Sequence, residues 1–323
     1  MFRDVIRRGC TRKEWDKIRQ ETRGRIVATL GQAPPLRFRR RMQCIRDYED
    51  LGLHMKHIRL TAVPDYATYG ALIYPPAFKP RKKYPAALVI HGPNVKTGHR
   101  SVLMPGSNQQ YAIELARRGW VTLAVDQFGF GEGNEGRSAA QMAERFYGRY
   151  PNWSLDGVRL WVQQCALDVL TSQSFVNPDR IACVGLSTGG RCVLYLTALD
   201  DRIKAAVSAA GLSPNLTNIY RNRPHKNSLS PVLDLMTSYT GQPPFEYQEL
   251  LSLIAPRSVL LIEPWNDLYN PMVEPIFECF TKARFVFQLC DATNNLQILC
   301  HGDGHTTLKH MREYAYAWLE ERI

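Results

Sequence analysis

The chain has 323 residues, of which 45% are hydrophobic and 22% charged, enough for one large α/β domain or two small ones. No apolar run approaches the ~20 residues of a bilayer-spanning helix, so membrane insertion is not expected. The net charge of +11 is concentrated in residues 1–60, which hold 16 Lys/Arg against 7 Asp/Glu. The start of the chain is charged where a secretory signal needs an apolar core. The eight cysteines of the whole chain form no C-x-x-C pair. We therefore expect a cytoplasmic protein with reduced thiols.

The basic N-terminal segment, residues 1–55, is predicted to be a peripheral helical extension. Thr11 can cap a helix that carries Trp15 and Ile26, and Gly31 followed by two prolines ends it. The positive charge could serve an anionic partner. Because acidic residues interrupt it and no nucleic-acid motif accompanies it, we expect a solvated or subunit-contacting arm and no nucleic acid. An anion-binding protein remains the alternative.

The remaining chain, residues 56–323, is predicted to be one catalytic domain. An apolar and polar alternation over residues 58–74 is typical of antiparallel edge strands. Strands then alternate with helices, which predicts a mostly parallel, twisted sheet covered by helices on both faces. The predicted strands are residues 86–90, 120–125, 181–184, 204–209, 258–262 and 296–300. The predicted helices are residues 108–118, 155–174, the stretch after Ser187, residues 271–290 and the C-terminal stretch, although RFVFQLC within 271–290 could also be a strand.

One segment, residues 211–251, separates two predicted strands by more than a normal crossover. It is rich in Pro, Asn and Ser, with a short helix predicted near residues 233–240. An insertion after a strand of a parallel sheet lies over the carboxyl ends of the strands, where ligands bind. We expect it to be a lid or a subunit contact, and a homodimer or a larger homo-oligomer is possible.

The strongest motif is G-x-S-x-G at residues 185–189, between a predicted strand and a predicted helix. A serine on a sharp strand-to-helix turn needs small neighbours, and the turn presents its hydroxyl at a helix N-terminus. Ser187 is therefore the predicted nucleophile.

A serine nucleophile requires a base and an acid that orients the base, and in this arrangement both follow the serine in the chain. Asp267, in a loop after a predicted strand, is the preferred acid, and Glu263 at the strand tip is the alternative. His305, in a glycine-rich turn before the last helix, is preferred as the base over His301 at the strand end. Surface or structural roles are expected for His54, His57, His99, His225 and His310.

The oxyanion hole is predicted to combine the Thr188 N–H with a donor from the loop that follows the strand 86–90. That loop reads His91-Gly92-Pro93-Asn94. Pro93 has no N–H, so either the N–H or the side chain of Asn94 has to serve, while His91 is expected to shape the loop. The chain has no phosphate-binding loop motif and no His/Cys metal spacing, so neither a cofactor nor a metal is expected.

These residues resemble the α/β-hydrolase superfamily, and within it the acetyl xylan esterase-like and dienelactone hydrolase-like branch. The stretches that carry the resemblance are HGPN, ELARRGWVTLAVDQFGFGEG, NPDRIACVGLSTGGR, LDDRIKAAVSAAG, LIAPRSVLLIEPWNDLYNP and GDGHTTL, and EWDKIRQETRGRIVATLGQAPP resembles the N-terminal helical extension of that branch. Carried over by position, Ser187 matches the nucleophile, Asp267 the acid and His305 the base. Pro93 departs from the family pattern, where a residue with an N–H is usual, which puts efficient hydrolysis in doubt.

The sequence therefore predicts a serine hydrolase that cleaves a small or medium carboxylic ester or thioester through an acyl-enzyme. The superfamily also contains lyases, cyclases and acyltransferases, so a biosynthetic enzyme with the same three residues is the alternative.

Overall fold

A nine-stranded sheet runs through the part of the chain that the structure, a computed structural model, describes: Ile6, Cys10 and residues 11–34, 41–216 and 230–323. Its strands are β1 (Met42–Asp50), β2 (Leu53–Val63), β3 (Tyr66–Ile73), β4 (Tyr84–Ile90), β5 (Val121–Val125), β6 (Val176–Leu186), β7 (Ala205–Ala209), β8 (Ser258–Pro264) and β9 (Leu296–His301). Their spatial order is β1-β2-β3-β5-β4-β6-β7-β8-β9. Pairing is antiparallel from β1 to β5 and parallel from β5 to β9.

Helices cover both faces of this sheet. The described helices are α1 (Arg12–Thr29), α2 (Tyr111–Arg117), α3 (Ala139–Arg149), α4 (Leu155–Thr171), α5 (Thr188–Leu199), α6 (Pro231–Thr240), α7 (Tyr247–Ser252), α8 (Glu274–Leu289) and α9 (Lys309–Arg322). Side chains of α2 and α9 join the core on one face, and those of the other described helices join the core on the opposite face. Within the described residues, no helix combines the length and the apolar character that crossing a bilayer requires.

The central strands are apolar in nearly every position because both of their faces are buried. In β4, Leu88 and Ile90 belong to one core and Ala87 and Val89 to the other, as the two-residue period of a strand requires. The six strands predicted after residue 80 are all present. The segment 271–290 forms a helix, α8, which excludes the strand alternative for its second half.

The helical prediction for residues 1–55 is only partly right. The capping residue is confirmed, because the Thr11 hydroxyl accepts the Glu14 N–H at the start of α1. Met42–Asp50, however, is a strand that pairs antiparallel with β2, so it extends the sheet. The proposed boundary at residue 55 falls inside β2. Solvent exposure explains the error: most side chains of β1 are exposed, so the strand shows no apolar alternation.

The insertion at residues 211–251 is less uniform than its composition suggests. The predicted short helix is confirmed as α6, while residues 217–229, which include His225, lie outside the described residues. The C-terminal end of the insertion, α7, is a buried helix whose Tyr247 and Leu250 belong to the core. A polar lid can therefore include only the part of the insertion before α7.

Deleting residues 1–50 is expected to lower the melting temperature by about 10 °C or more, because Trp15 and Ile26 are 2% and 0% exposed in the core. Calorimetry checks the melting temperature and size-exclusion chromatography the assembly. The double variant Lys13→Gln/Lys17→Gln, which removes only exposed charge, should have the same melting temperature as the intact protein. An unchanged melting temperature combined with lost nucleic-acid binding in the truncated protein would instead support the anion-binding alternative.

Candidate active site

The turn between β6 and α5 holds Ser187 in a strained backbone conformation. Its φ and ψ are 60° and −123°, a region that residues with a Cβ rarely adopt. The Ser187 N–H donates to Ala209 O over 2.8 Å, and Ser187 O accepts the Arg191 N–H over 2.8 Å, so hydrogen bonds hold both sides of the turn. This is the geometry of a nucleophile elbow, which exposes the hydroxyl at the carboxyl edge of the sheet.

The glycines of the motif have a steric role. A Cβ on Gly189 would lie 2.1 Å from the carbonyl oxygen of Ile90. A Cβ on Gly185 would lie 2.7 Å from the carbonyl carbon of Gly189. The turn can therefore pack against β4 only with glycine at both positions, which is the reason inferred from the motif alone.

Asp267 and His305 meet beside this edge of the sheet. Asp267 follows β8 and His305 follows β9, the two strands that pair in parallel beyond β7. The Nδ1 atom of His305 lies 2.7 Å from Oδ2 of Asp267. The Asp267 side chain is only 3% exposed and that of His305 20% exposed. A buried carboxylate thus orients a histidine that solvent and substrate can still reach.

The environment of Asp267 favours its ionised form. Burial alone would raise the pKa of this carboxyl, but the hydrogen bonds from His305 and from the Tyr269 N–H outweigh burial and lower the pKa below its ordinary value. Because the carboxylate accepts from Nδ1, that nitrogen carries the proton and Nε2 of His305 carries the lone pair.

The alternative acid, Glu263, has a different environment. Its side chain is 1% exposed and Oε1 accepts the Leu212 N–H over 3.1 Å. Burial, together with the nearby charge of Asp267, raises its pKa well above the ordinary value. No hydrogen bond joins it to His305 within the described residues. Glu263 therefore anchors the start of the insertion.

The alternative base, His301, lies in β9. Burial lowers its pKa, and its Nδ1 accepts the Asp303 N–H over 3.3 Å. Asp303 is half exposed, so this pair does not reproduce the buried carboxylate behind His305. The structure thus brings Asp267 together with His305 and leaves Glu263 and His301 in other contacts.

Residues 92–94 of the loop after β4 have no free backbone donor to offer to an oxyanion. The Gly92 N–H donates to Gln109 Oε1 over 2.8 Å, and the Asn94 N–H donates to Gly92 O over 2.8 Å. Pro93 lies between them without an N–H. The expectation that the Asn94 N–H serves is therefore wrong for this conformation. Donation to the oxyanion by the Asn94 side chain stays a prediction.

His91 holds this loop in place. Its Nδ1 lies 2.6 Å from Gly92 O and so donates, while its Nε2 accepts the Gln127 N–H over 2.9 Å. Burial lowers its pKa to about 4, which keeps the ring neutral and able to accept. The predicted role of His91 as a loop-shaping residue agrees with these contacts.

Thr188 begins α5, so its N–H belongs to the first turn, whose donors have no partner within the helix. A cavity of about 20 Å³ lies next to it. Three polar atoms of residues that line the cavity, Thr188 Oγ1, Gln127 Oε1 and Arg191 Nε, have no hydrogen-bond partner among the described residues. The cavity can hold one water molecule but not an acyl group, so a substrate has to approach from the exposed side.

The same cavity is lined by two arginines, of which Arg159 is buried and Arg191 is 20% exposed, and by one carboxylate. Arg191 donates to Asp156 over 2.6 Å, and the guanidinium of Arg159 lies 4.7 Å from the ring centre of Phe130. Two guanidinium groups facing one carboxylate leave positive charge beside the first turn of α5. Positive charge there favours an anion that develops next to Ser187.

The loop that carries Asp267 also presents exposed apolar side chains. Trp265, Leu268 and Tyr269 are 57%, 91% and 64% exposed. The Tyr269 ring lies edge-on to His305, with 4.8 Å between the ring centres. No motif marks these residues in the sequence, although all of them lie within three positions of the predicted acid.

Comparisons with known proteins agree with this architecture. The sequence model of a family described as "Abhydrolase family" matches residues 5–282. The chain is 26% identical over 235 residues to "Putative hydrolase YtaP" of Bacillus subtilis, covering 72% of this chain and 75% of that protein.

Two solved structures are similar over nearly the whole chain. A glucuronoyl esterase from Solibacter usitatus superposes with a TM-score of 0.74 at 14% identity, covering 98% of this chain and 96% of that one. An acetyl xylan esterase from Paenibacillus sp. R4 superposes with a TM-score of 0.61 at 15% identity, covering 99% and 98%.

Proposed function

Because the chain belongs to the Abhydrolase family, we propose that it is a serine esterase that cleaves a carboxylic ester through an acyl-enzyme on Ser187. Its fold is that of the α/β-hydrolases, as the sequence predicted. The observation that carries the proposal is the 2.7 Å contact between His305 Nδ1 and the buried carboxylate of Asp267. This pair follows the same carboxyl edge of the sheet from which Ser187 projects.

In the first half of the reaction, Nε2 of His305 takes the hydroxyl proton of Ser187 while the serine oxygen attacks the ester carbonyl. Asp267 stabilises the imidazolium that forms and does not itself take the proton. The tetrahedral intermediate then collapses, the alcohol leaves with the proton from His305, and the acyl group remains on Ser187. In the second half, His305 deprotonates a water molecule that attacks the acyl carbonyl. The second tetrahedral intermediate then collapses, the bond from the acyl carbon to Ser187 Oγ breaks, Ser187 recovers the proton from His305, and the acid is released.

The negative charge of the tetrahedral oxygen is met by the first turn of α5. The Thr188 N–H is the proposed main donor. The positive N-terminal end of α5 and the guanidinium groups of Arg159 and Arg191 stabilise the same negative charge over a longer range. The Asn94 side chain is the proposed second donor, because the backbone donors of its loop are engaged.

The proposed substrate is a bulky ester that carries a ring, such as a carbohydrate ester. The names of the two structural neighbours suggest this class. Exposed Trp265 and Tyr269 next to the acid and the base offer flat apolar faces for a ring.

A fluorophosphonate probe tests the proposal, because it labels serines activated as nucleophiles. We expect one adduct, located by mass spectrometry on the peptide that contains Ser187, and no labelling of Ser187→Ala or of heat-denatured protein. A label on another residue, or an absence of label on the folded protein, would refute the esterase mechanism. Acetylated and uronate-ester oligosaccharides offered to the intact enzyme then test the substrate class separately.

Pro93→Gly is expected to raise turnover of p-nitrophenyl acetate about tenfold, short of the ~10²–10³ that a fully aligned oxyanion donor contributes. The change adds an N–H at the usual donor position without adding a side chain. The intact protein should be slow on this small ester, since a small ester gains little from positioning by the surrounding loops.

Asn94→Ala is the matched variant for this measurement, because it removes the proposed side-chain donor from the same loop. It should lower turnover of the small ester in the intact protein and have less effect in the Pro93→Gly background. Fast turnover by the unaltered protein, with no gain from Pro93→Gly, would show that the oxyanion hole is already complete.

A further inference from the structure

Two histidines and a glutamate from three separate segments come together away from the proposed catalytic residues. His57 lies in β2, His99 in the short 3-10 helix Gly98–Val102 and Glu132 in the 3-10 helix Gly131–Asn134. One ligand atom from each of the three lies within 4.8 Å of the others. Surface or structural roles were expected for both histidines, because no short spacing links residues so far apart in the chain.

His99 is oriented as histidine ligands of metals commonly are. Its Nδ1 lies 2.8 Å from Oδ1 of Asp126, and both side chains are 2% exposed. The same carboxylate accepts the His99 N–H over 2.7 Å and the Glu132 N–H over 3.0 Å. A carboxylate on Nδ1 fixes the tautomer and leaves Nε2 with a lone pair that can bind a metal ion.

His57 and Glu132 supply the other two donors. Nε2 of His57 lies 3.3 Å from Oε2 of Glu132, yet this buried nitrogen makes no hydrogen bond within the part of the chain that the structure describes. Zinc bonds of about 2.0–2.2 Å place two tetrahedral ligand atoms roughly 3.4 Å apart, which matches this contact. The pair is therefore spaced for a shared ion.

We propose that His57, His99 and Glu132 form a binding site for a divalent transition-metal ion, with zinc as the best match. Imidazole and carboxylate are ligands that zinc accepts, and a water molecule completes the tetrahedron. The carboxylate of Glu132 would bind the dication directly, and that of Asp126 would support it through His99. The 29% exposure of Glu132 and 25% exposure of His57 leave an entry path.

Such an ion would join the antiparallel part of the sheet to the loops that follow β4 and β5. His57 belongs to β2, whereas His99 and Glu132 belong to the two loops after the first parallel strands. Metal binding would thus raise the free energy of unfolding by an amount that grows with the logarithm of the free metal concentration above Kd, independently of the esterase reaction.

Calorimetric titration tests the site on full-length protein without a polyhistidine tag, after treatment with EDTA. The protein is expected to bind one equivalent of Zn²⁺. Co²⁺ bound in its place is expected to give the visible absorption of a tetrahedral site. His57→Gln and Glu132→Gln are each expected to weaken zinc binding at least tenfold, in line with the ~10–100-fold cost of disturbing even the surrounding hydrogen bonds. Melting temperatures measured in EDTA report whether each variant folds.

His54→Gln is the matched control, because His54 lies in the same strand and pairs with Asp47 outside the cluster. It should bind zinc as the unaltered protein does. An absence of zinc binding at micromolar concentration would reduce the cluster to an ion pair and overturn the proposal. Binding that survives both His57→Gln and Glu132→Gln would belong to other groups of the chain and overturn it equally.

Discussion

Replacing Asp267 by asparagine is expected to lower kcat/KM for an ester about 10⁴-fold, as loss of the orienting carboxylate does in enzymes of this mechanism. The asparagine amide would donate to Nδ1 of His305 and favour the tautomer that carries its proton on Nε2. That tautomer cannot take the proton of Ser187. Steady-state kinetics of the purified variant measure the loss. KM should change far less than kcat, because the carboxylate has no direct contact with the substrate.

Glu263→Gln is the matched control for this change, since it makes the same substitution on the alternative acid. Burial raises the pKa of Glu263 and so favours its neutral form, which glutamine resembles, and a glutamine oxygen can still accept the Leu212 N–H. The variant should therefore keep most of the activity. Equal losses in the two variants, or a larger loss in Glu263→Gln, would reverse the assignment of the acid.

Removing the hydroxyl of Ser187 is expected to abolish turnover, with losses approaching the ~10⁶-fold seen when a serine nucleophile is deleted. Ser187→Gly and Ser187→Ala should be equally inactive. Their stabilities should differ in an unusual direction. At most positions glycine is less stable than alanine by about 0.4–1 kcal/mol, because it has more freedom in the unfolded chain.

At φ 60° and ψ −123°, a Cβ is strained by about 1–3 kcal/mol, and only glycine relieves this strain. The free energy of unfolding of Ser187→Gly should therefore exceed that of Ser187→Ala by about 1 kcal/mol. The glycine variant should accordingly unfold at a higher denaturant concentration. Gln20→Gly and Gln20→Ala, on the exposed side of α1, give the ordinary order as a control. Alanine more stable than glycine at both positions would show that the elbow stores no strain.

The parts of the fold that could be predicted are those whose burial leaves a pattern in the chain. Strands β4 to β9 carry apolar side chains where the helices cover the sheet, and helix α8 is apolar on the face that it buries. Composition and period therefore revealed these elements. Strand β1 exposes most of its side chains and left no such pattern. Helix α3 was missed although Ser138 and Gln141 form a capping box before Met142 and Phe146, a local signal that the sequence carried.

The candidate site divides in the same way. Ser187, Asp267 and His305 could be proposed because local turns and chain order mark them. The competition between Glu263 and Asp267 could not be settled from the sequence, because the contact of Glu263 with Leu212 depends on how the insertion folds back. The engaged N–H groups of Gly92 and Asn94 were equally invisible, since a hydrogen bond to Gln109 and a tight turn are properties of the folded loop.

Strand β1 also bears on how the protein behaves when it is concentrated. It is the first strand of the sheet order, so one of its sides has no neighbouring strand within the described residues. An open edge of this kind is a template for aggregation. Here Arg46, Asp47 and Glu49 are exposed along it, and a register irregularity between Cys44 and Arg46 interrupts its pairing. A second copy that added a strand here would have to bury charges against a distorted ladder. These features disfavour fibre-like growth by strand addition at this edge.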